Sequence, residues 1–329
     1  MNDQIRAVAL GGGHGLHASL SALRTLTEDI TAVVTVADDG GSSGRIRREL
    51  GLVPPGDLRM ALAALAGRDG NQAGWADLLQ HRFGGSGALA GHPVGNLLLS
   101  GLMERDSDVI AALATVAELV GAVGRVLPMS PVPLDLIADV DRFDPADPAR
   151  VRPIRGQSAI AATTGRVRSV RLLPAGAPAC AAAVDAVREA DIVVLGPGSW
   201  FTSVIPHLLL RELAHALVTT PARIVVTLNL EPGVGETENF SAEELIRALL
   251  AHGPGLHIDA IVADQNSVLD RPALARYARE IGAGLVMSGV AATDSPAVHD
   301  PVRLAEAYRL AFGNAAEAAG HDDGRVTAG

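Results

Sequence analysis

Three consecutive glycines close the first apolar run of the chain, in AVALGGGHGLHASL (7–20), and an amphipathic pattern starts just after them. Glycine takes backbone angles that other residues avoid and lets a ligand approach the main chain. A helix starting near Leu16 would aim unpaired N–H groups at an anion, which makes Gly12, Gly13, His14 and Gly15 candidate phosphate contacts. The spacing is not the dinucleotide fingerprint, because Leu16 stands where a third glycine belongs. No Gly-Lys-Ser/Thr follows to make it a Walker loop. A tight strand–helix turn with no ligand would give the same pattern.

A second cluster, VADDGGSSGRIRREL (36–50), follows the next apolar run. Asp38 lies 23 residues after Gly15, where a ribose-binding acid often sits. Asp38 and Asp39 would repel a phosphate unless one takes the ribose hydroxyls or they hold a divalent cation bridging to it. Adjacent residues at a strand end point in opposite directions, so one of the two should face a ligand. Gly40, Gly41, Ser42, Ser43 and Gly44 follow and lead to another helix start, and a plain Asp-Asp-Gly capping turn is the structural alternative. In LVPPGDLRMALAAL (52–65), Asp57 suits an N-cap, or a carboxylate facing the Asp38/Asp39 loop. Asp38 and Asp57 are therefore candidate Mg²⁺ ligands, and Arg59 could reach a phosphate.

Three further stretches carry polar residues at element ends. In GHPVGNLLLSGL (91–102), Asn96 could cap a helix or bind a base or sugar, and His92 reads as structural. DIVVLGPGSWFTSVIPHLLL (191–210) repeats the strand, glycine turn and helix, with Gly198 and Ser199 as a second anion nest and Thr202 in the first turn. In LNLEPGVGETENFSAEEL (228–245), Asn229, Glu236 and Thr237 could line a crevice, whereas Ser241 with Glu244 is a capping box.

The elements that must position these residues alternate in type. Apolar runs at 5–10, 30–37, 191–196, 223–230 and 258–264 read as strands, and 16–26 as a helix. Strands that are apolar throughout suit a parallel sheet covered on both faces, which predicts a Rossmann-like, doubly wound α/β fold. In such folds a ligand lies at the carboxyl ends of the strands, where the strand order reverses. The pattern over about 57–122 is mostly helical and predicts a helical excursion within a single domain spanning 1–319. The acidic, Pro-rich segment 139–153 reads as an exposed loop, and 320–329 as a disordered tail.

Composition narrows the function. The net charge of -10 argues against a nucleic-acid binder, and every basic residue is arginine, so a basic contact to phosphate must come from Arg. Cys180 is the only cysteine, which excludes an intrachain disulfide, and its small-residue setting reads as buried. No apolar run nears the ~20 residues of a membrane span, and MNDQIR offers no signal-peptide core, so a cytoplasmic protein without membrane insertion is expected.

These blocks, in this order, resemble the YvcK family of gluconeogenesis factors. The resemblance rests on GGGHGL, ITAVVTVADDGGSSGRIR, PPGDLRMALAALA, GHPVGNLLL, LGPGSWFTSVIPHLLL and GETENFSAEEL, and it covers about 5–314. It implies a core that binds UDP-N-acetylglucosamine or related UDP-sugars without established catalysis. It further implies links to gluconeogenic growth, cell shape and peptidoglycan supply, with cell-wall regulatory proteins as partners. No cofactor is required, although Mg²⁺ could accompany a bound diphosphate nucleotide.

Tyr277 stands where the family has a tyrosine implicated in UDP-sugar binding. His14 replaces the usual threonine of the first loop, and Val298 the usual arginine before His-Asp, with His299 and Arg303 as nearby substitutes. The sister branch, CofD, is a 2-phospho-L-lactate transferase of deazaflavin cofactor synthesis. This chain departs from it after the acid pair and at Pro55-Gly56-Asp57-Leu58. A Mg²⁺-dependent CofD-like transferase is the alternative reading. An NAD-dependent oxidoreductase and a scaffold with an empty crevice rank below it. The apolar helices in 94–121 could form a homodimer face or simply cover the sheet.

Overall fold

The computed structural model describes residues 5–143, 146–230, 235–238 and 240–319. The expected tail, 320–329, lies outside the described residues.

The chain opens with β1 (Ala7–Gly11), α1 (Gly13–Leu23) and β2 (Ile30–Val34). Five helices follow: α2 (Gly41–Leu50), α3 (Gly56–Leu65), α4 (Gly70–Gln80), α5 (Val94–Asp106) and α6 (Val109–Leu119). Next come β3 (Arg125–Pro128), β4 (Asp135–Asp141), β5 (Arg152–Arg155), α7 (Gln157–Ala161), β6 (Arg166–Leu173), α8 (Ala181–Glu189) and β7 (Ile192–Leu195). A wide helical turn (Trp200–Val204) and a tight one (Ile205–Leu209) lead into α9 (Arg211–Thr219). The chain ends with β8 (Arg223–Thr227), α10 (Ala242–His252), β9 (Ala260–Asp264), α11 (Arg271–Glu280), β10 (Gly284–Ser288) and α12 (Pro301–Ala319).

Seven strands form one sheet in the order β10-β9-β8-β7-β1-β2-β3, and every pairing in it is parallel. The cause is visible in the strands: β1, β2, β7 and β9 bury every residue, which only helices on both faces can achieve. The chain runs outward from β1 to β3, then returns to β7 and runs outward the other way. The order therefore reverses between β1 and β7, and a crevice belongs at their carboxyl ends. The predicted helical excursion corresponds to α3–α6.

The segment expected to be an exposed loop is only partly one. Its flanks belong to β4 and β5, in an antiparallel sheet of order β5-β4-β6. Here charge hid the period of two. Asp135 and Asp139 on β4 pair with Arg155 and Arg171 on the flanking strands, and buried Asp141 pairs with Arg168. The outer face reads as polar sequence, while Leu136, Ala138 and Val140 are fully buried on the inner one. The edge strand β10 was likewise absent from the sequence reading. Cys180 is buried, as expected.

Two buried histidines make the fold acid-labile. His207 is fully buried between the carbonyls of Val204 (3.2 Å) and Val33 (3.1 Å), and burial lowers its pKa to about 4. Burial likewise takes His299 to about 4. A folded value below the unfolded 6.5 means that only the unfolded chain takes up protons between those values. Stability is thus present above pH 6.5 and is lost as pH falls toward 4. Between pH 7.5 and 5 the expected loss is about 2 kcal/mol per histidine. Urea denaturation at the two pH values measures it; equal midpoints would overturn the assignment.

Candidate functional site

The two predicted glycine turns meet at the switch point. Gly12 ends β1's turn in extended backbone, Gly13 takes φ +59°, and α1 starts there with no acidic residue in its first turn. After β7, Gly196 (φ +79°) and Gly198 (φ +143°) bend the second turn against the first. Neither Gly15 nor Gly12 has space for a side chain. A Cβ on Gly15 would sit 2.2 Å from the Pro197 carbonyl oxygen, and one on Gly12 would sit 2.4 Å from Asp57 Oδ2. His14 is exposed beside this pinch.

The two acids after β2 diverge. Asp39 Oδ1 accepts from the Ser158 amide (2.9 Å), toward the antiparallel sheet. Asp38 Oδ1 accepts from the Gly40 amide (2.9 Å), and its Oδ2 lies 3.0 Å from where a Gly56 Cβ would be. Asp57 is in the first turn of α3 rather than capping it, since Pro55 holds the N-cap position. Its carboxylate belongs to the crevice. Burial, then the Asp38 charge, push it up to about 7, against the Gly13 amide and Arg59, which favour the charged form. Asp38 is also raised, chiefly by burial. Two desolvated carboxylates, of which Asp38 raises Asp57, are a fit for a divalent cation, which relieves both. Among the described residues, no group of three His, Cys, Asp or Glu could hold a metal ion, so the remaining positions would fall to water and phosphate.

Behind this pair lies a polar network. Ser43 Oγ accepts from the Gly56 amide (3.1 Å). Ser42 Oγ sits 2.7 Å from His92 Nδ1 and accepts from Asn96 Nδ2 (2.9 Å), and Asn96 Oδ1 accepts from Arg59 Nε (2.9 Å). Asn96 therefore bridges α2 and α3 instead of capping α5. Arg59 is only 4% exposed, and its Nη1 has no hydrogen-bond partner.

The second turn is already filled. Glu236 Oε1 accepts from Ser199 Oγ (2.7 Å) and the Phe201 amide (3.3 Å), so a carboxylate of the chain itself occupies the anion nest. Glu236 is buried, which raises its pKa, and its Oε2 has no partner. Asn229 clasps the Gly198 peptide, accepting from its amide (2.8 Å) and donating to its carbonyl (2.9 Å). Thr202 and Thr237 are buried, and the Thr202 hydroxyl, like the Trp200 amide, favours the charged form of Glu236. A pocket lined by Leu228, Asn229, Thr237, Phe240, Leu245 and Val268 opens beside the clasp.

The Tyr277 ring lies 3.9 Å under the Arg247 guanidinium, where α10 meets α11. Val298 is 53% exposed, and Arg303 is spent on its own loop, donating to the Ala291 carbonyl (2.8 Å) and Thr293 Oγ1 (3.0 Å). The sequence reading missed Thr35, whose Oγ1 is buried without a partner and whose methyl abuts Gly12. A lone hydroxyl in the apolar run VVTVA was the available signal.

The sequence matches the family described as CofD, 2-phospho-L-lactate transferase, over residues 7–302. A Mycobacterium tuberculosis protein provisionally named gluconeogenesis factor is 56% identical over 308 residues, covering 93% of this chain and 89% of its own. The chain belongs to the YvcK-like gluconeogenesis-factor family. The Bacillus subtilis gluconeogenesis factor is 35% identical to this YvcK-like chain over 270 residues, 82% of each. A crystal structure of a UPF0052-family protein from Bacillus halodurans superposes with a TM-score of 0.82 at 31% identity, covering 93% and 99% of the two chains. The YvcK-like fold is thus shared over 93% of this chain. Among the described residues, no helix is long and apolar enough to cross a membrane.

Proposed function

We propose that this crevice binds a UDP-sugar, UDP-N-acetylglucosamine or a close relative, and that the protein is a non-enzymatic regulator. In this reading it links central carbon metabolism and gluconeogenic growth to cell-wall synthesis and cell shape. The observation that carries the reading is the pinch of Gly15 against Pro197–Gly198 at the switch point, with no acid among the residues of α1's own first turn. Such a surface offers main-chain donors to a diphosphate. Asp38 takes the ribose hydroxyls or, with Asp57, a Mg²⁺ bridging to the phosphates. The pocket beside Asn229 receives the base, with Thr237 in its wall. The names of the relatives support the metabolic role.

A second reading is a CofD-like transferase of a phosphorus-containing group. The Asp38/Asp57 pair and the Ser42–His92 contact favour it, since metal and base could serve phosphoryl transfer.

A thermal-shift titration with UDP-N-acetylglucosamine, UDP-glucose, NAD and GDP, with and without Mg²⁺, separates the two. A ligand at 100-fold excess over its Kd adds about 2.7 kcal/mol of stability. Stabilisation by UDP-sugars alone, lost in Asp38→Ala, is the expected result. Stabilisation by GDP with Mg²⁺ alone would replace the first reading with the second.

A further inference from the structure

A charged side chain this deeply buried needs a partner, and Arg59 has only part of one. Its Nε is bound to Asn96, while Nη1, equally buried, is bound to nothing. An unpaired guanidinium nitrogen in the interior costs several kcal/mol unless something outside the chain completes it. The stem cannot swing away to water. A Cβ on Gly95 would already lie 2.9 Å from Arg59 Cδ, so α5 grips the side chain along its length.

The surroundings are electropositive. The first turns of α2 and α5 flank the guanidinium through Ser42 and Asn96, and neither turn contains an acid or a side-chain cap. Arg82 adds its charge to that of Arg59, and Arg45 adds its charge to His92 in the same network, where Glu49 opposes it. The nearest acid, Asp57, is engaged with Gly13 and faces Asp38. Helix N-termini and a planar fork of donors together recognise a carboxylate or a phosphate.

We infer that Arg59, with Ser42 and Asn96, forms a subsite for a second anionic group, a carboxylate or phosphate carried on the sugar beyond the diphosphate. The inference rests on the diphosphate-sugar reading of the crevice and narrows it. The favoured ligands are acidic nucleotide sugars, and neutral ones leave the guanidinium unpaired.

Titration calorimetry of matched pairs tests this: UDP-glucose against UDP-glucuronate, and UDP-N-acetylglucosamine against UDP-N-acetylmuramate and the 6-phosphate of UDP-N-acetylglucosamine. The acidic partner is expected to bind at least tenfold more tightly than its neutral twin. The preference should fall below twofold in Arg59→Met and survive in part in Arg59→Lys, which keeps the charge if Met disturbs folding. The carboxylate and phosphate arms tell which anion is preferred. Equal affinity within each pair, or a preference untouched by Arg59→Met, overturns the subsite. Inorganic phosphate alone supplies a separate arm. If no UDP-sugar binds but phosphate raises the Tm of the wild type and not of Arg59→Met, the subsite stands and the UDP-sugar reading falls. If phosphate protects both proteins equally, the subsite falls.

Discussion

Gly15→Ala is expected to destabilise the protein by about 3 kcal/mol and to abolish nucleotide binding. The new methyl would meet the Pro197 carbonyl oxygen at 2.2 Å, its carbon at 2.5 Å and Gly198 Cα at 2.6 Å. All three are backbone atoms, so no rotamer change relieves the clash, and the turns after β1 and β7 must separate. Gly13→Ala should cost only about 1–2 kcal/mol, because its methyl meets nothing and the penalty is the φ of +59° alone. Gly74→Ala, inside α4 with open space around it, should be neutral or stabilising by up to about 1 kcal/mol. Urea denaturation of the three variants ranks them. A Gly15→Ala protein as stable as Gly74→Ala would mean that the turns do not touch.

That contact was only half legible in the sequence. Each glycine turn announces itself, because an apolar run ends in glycines before an amphipathic stretch. Their meeting follows from the order of strands, and β7 pairs with β1 only after a long excursion through both sheets. The alternation of strand and helix was enough to place the turns at one edge of a parallel sheet. It could not place β4–β6, whose arginines and aspartates pair across strands and so read as a charged loop. Nor could it decide between Asp57 as a cap and Asp57 as a crevice acid. That choice depends on Pro55 taking the cap position and on how closely Gly12 and Gly56 let the carboxylates approach.

The same limit applies to Glu236 and Arg59. Both were picked out as crevice residues by chain position alone. Their particular chemistry comes from distant neighbours. Glu236 reaches back 37 residues to fill the Ser199 turn, and Arg59 leans on Asn96 across the same interval. Local spacing carries information about helices and caps, whereas a buried charge is defined by what surrounds it.

Asp57→Asn is expected to stabilise the ligand-free protein and to weaken nucleotide binding at least tenfold in Mg²⁺. Burial and the Asp38 charge raise the Asp57 carboxyl from 3.8 to about 7. For a raised carboxyl the folded chain holds its proton where the unfolded chain has lost it. Stability is therefore lost as pH rises from 3.8 toward 7, and the full penalty is present at pH 8. A shift of that size corresponds to about 4 kcal/mol, which the partial exposure of Asp57 cuts to about 2. Asparagine removes the charge yet keeps an oxygen for the Gly13 amide. The gain should thus reach about 2 kcal/mol at pH 8 and vanish below pH 4, as read by urea denaturation without Mg²⁺. Loss of binding should depend on the metal, because the proposed role of Asp57 is to share a cation with Asp38 and the phosphates. In EDTA, wild type and variant should then bind a UDP-sugar alike. A variant that is less stable at pH 8 would show that the Asp38–Asp57 repulsion is already compensated within the chain. An affinity gap that persists in EDTA would give Asp57 a direct contact to the ligand, with the hydroxyls of ribose or sugar as its partners.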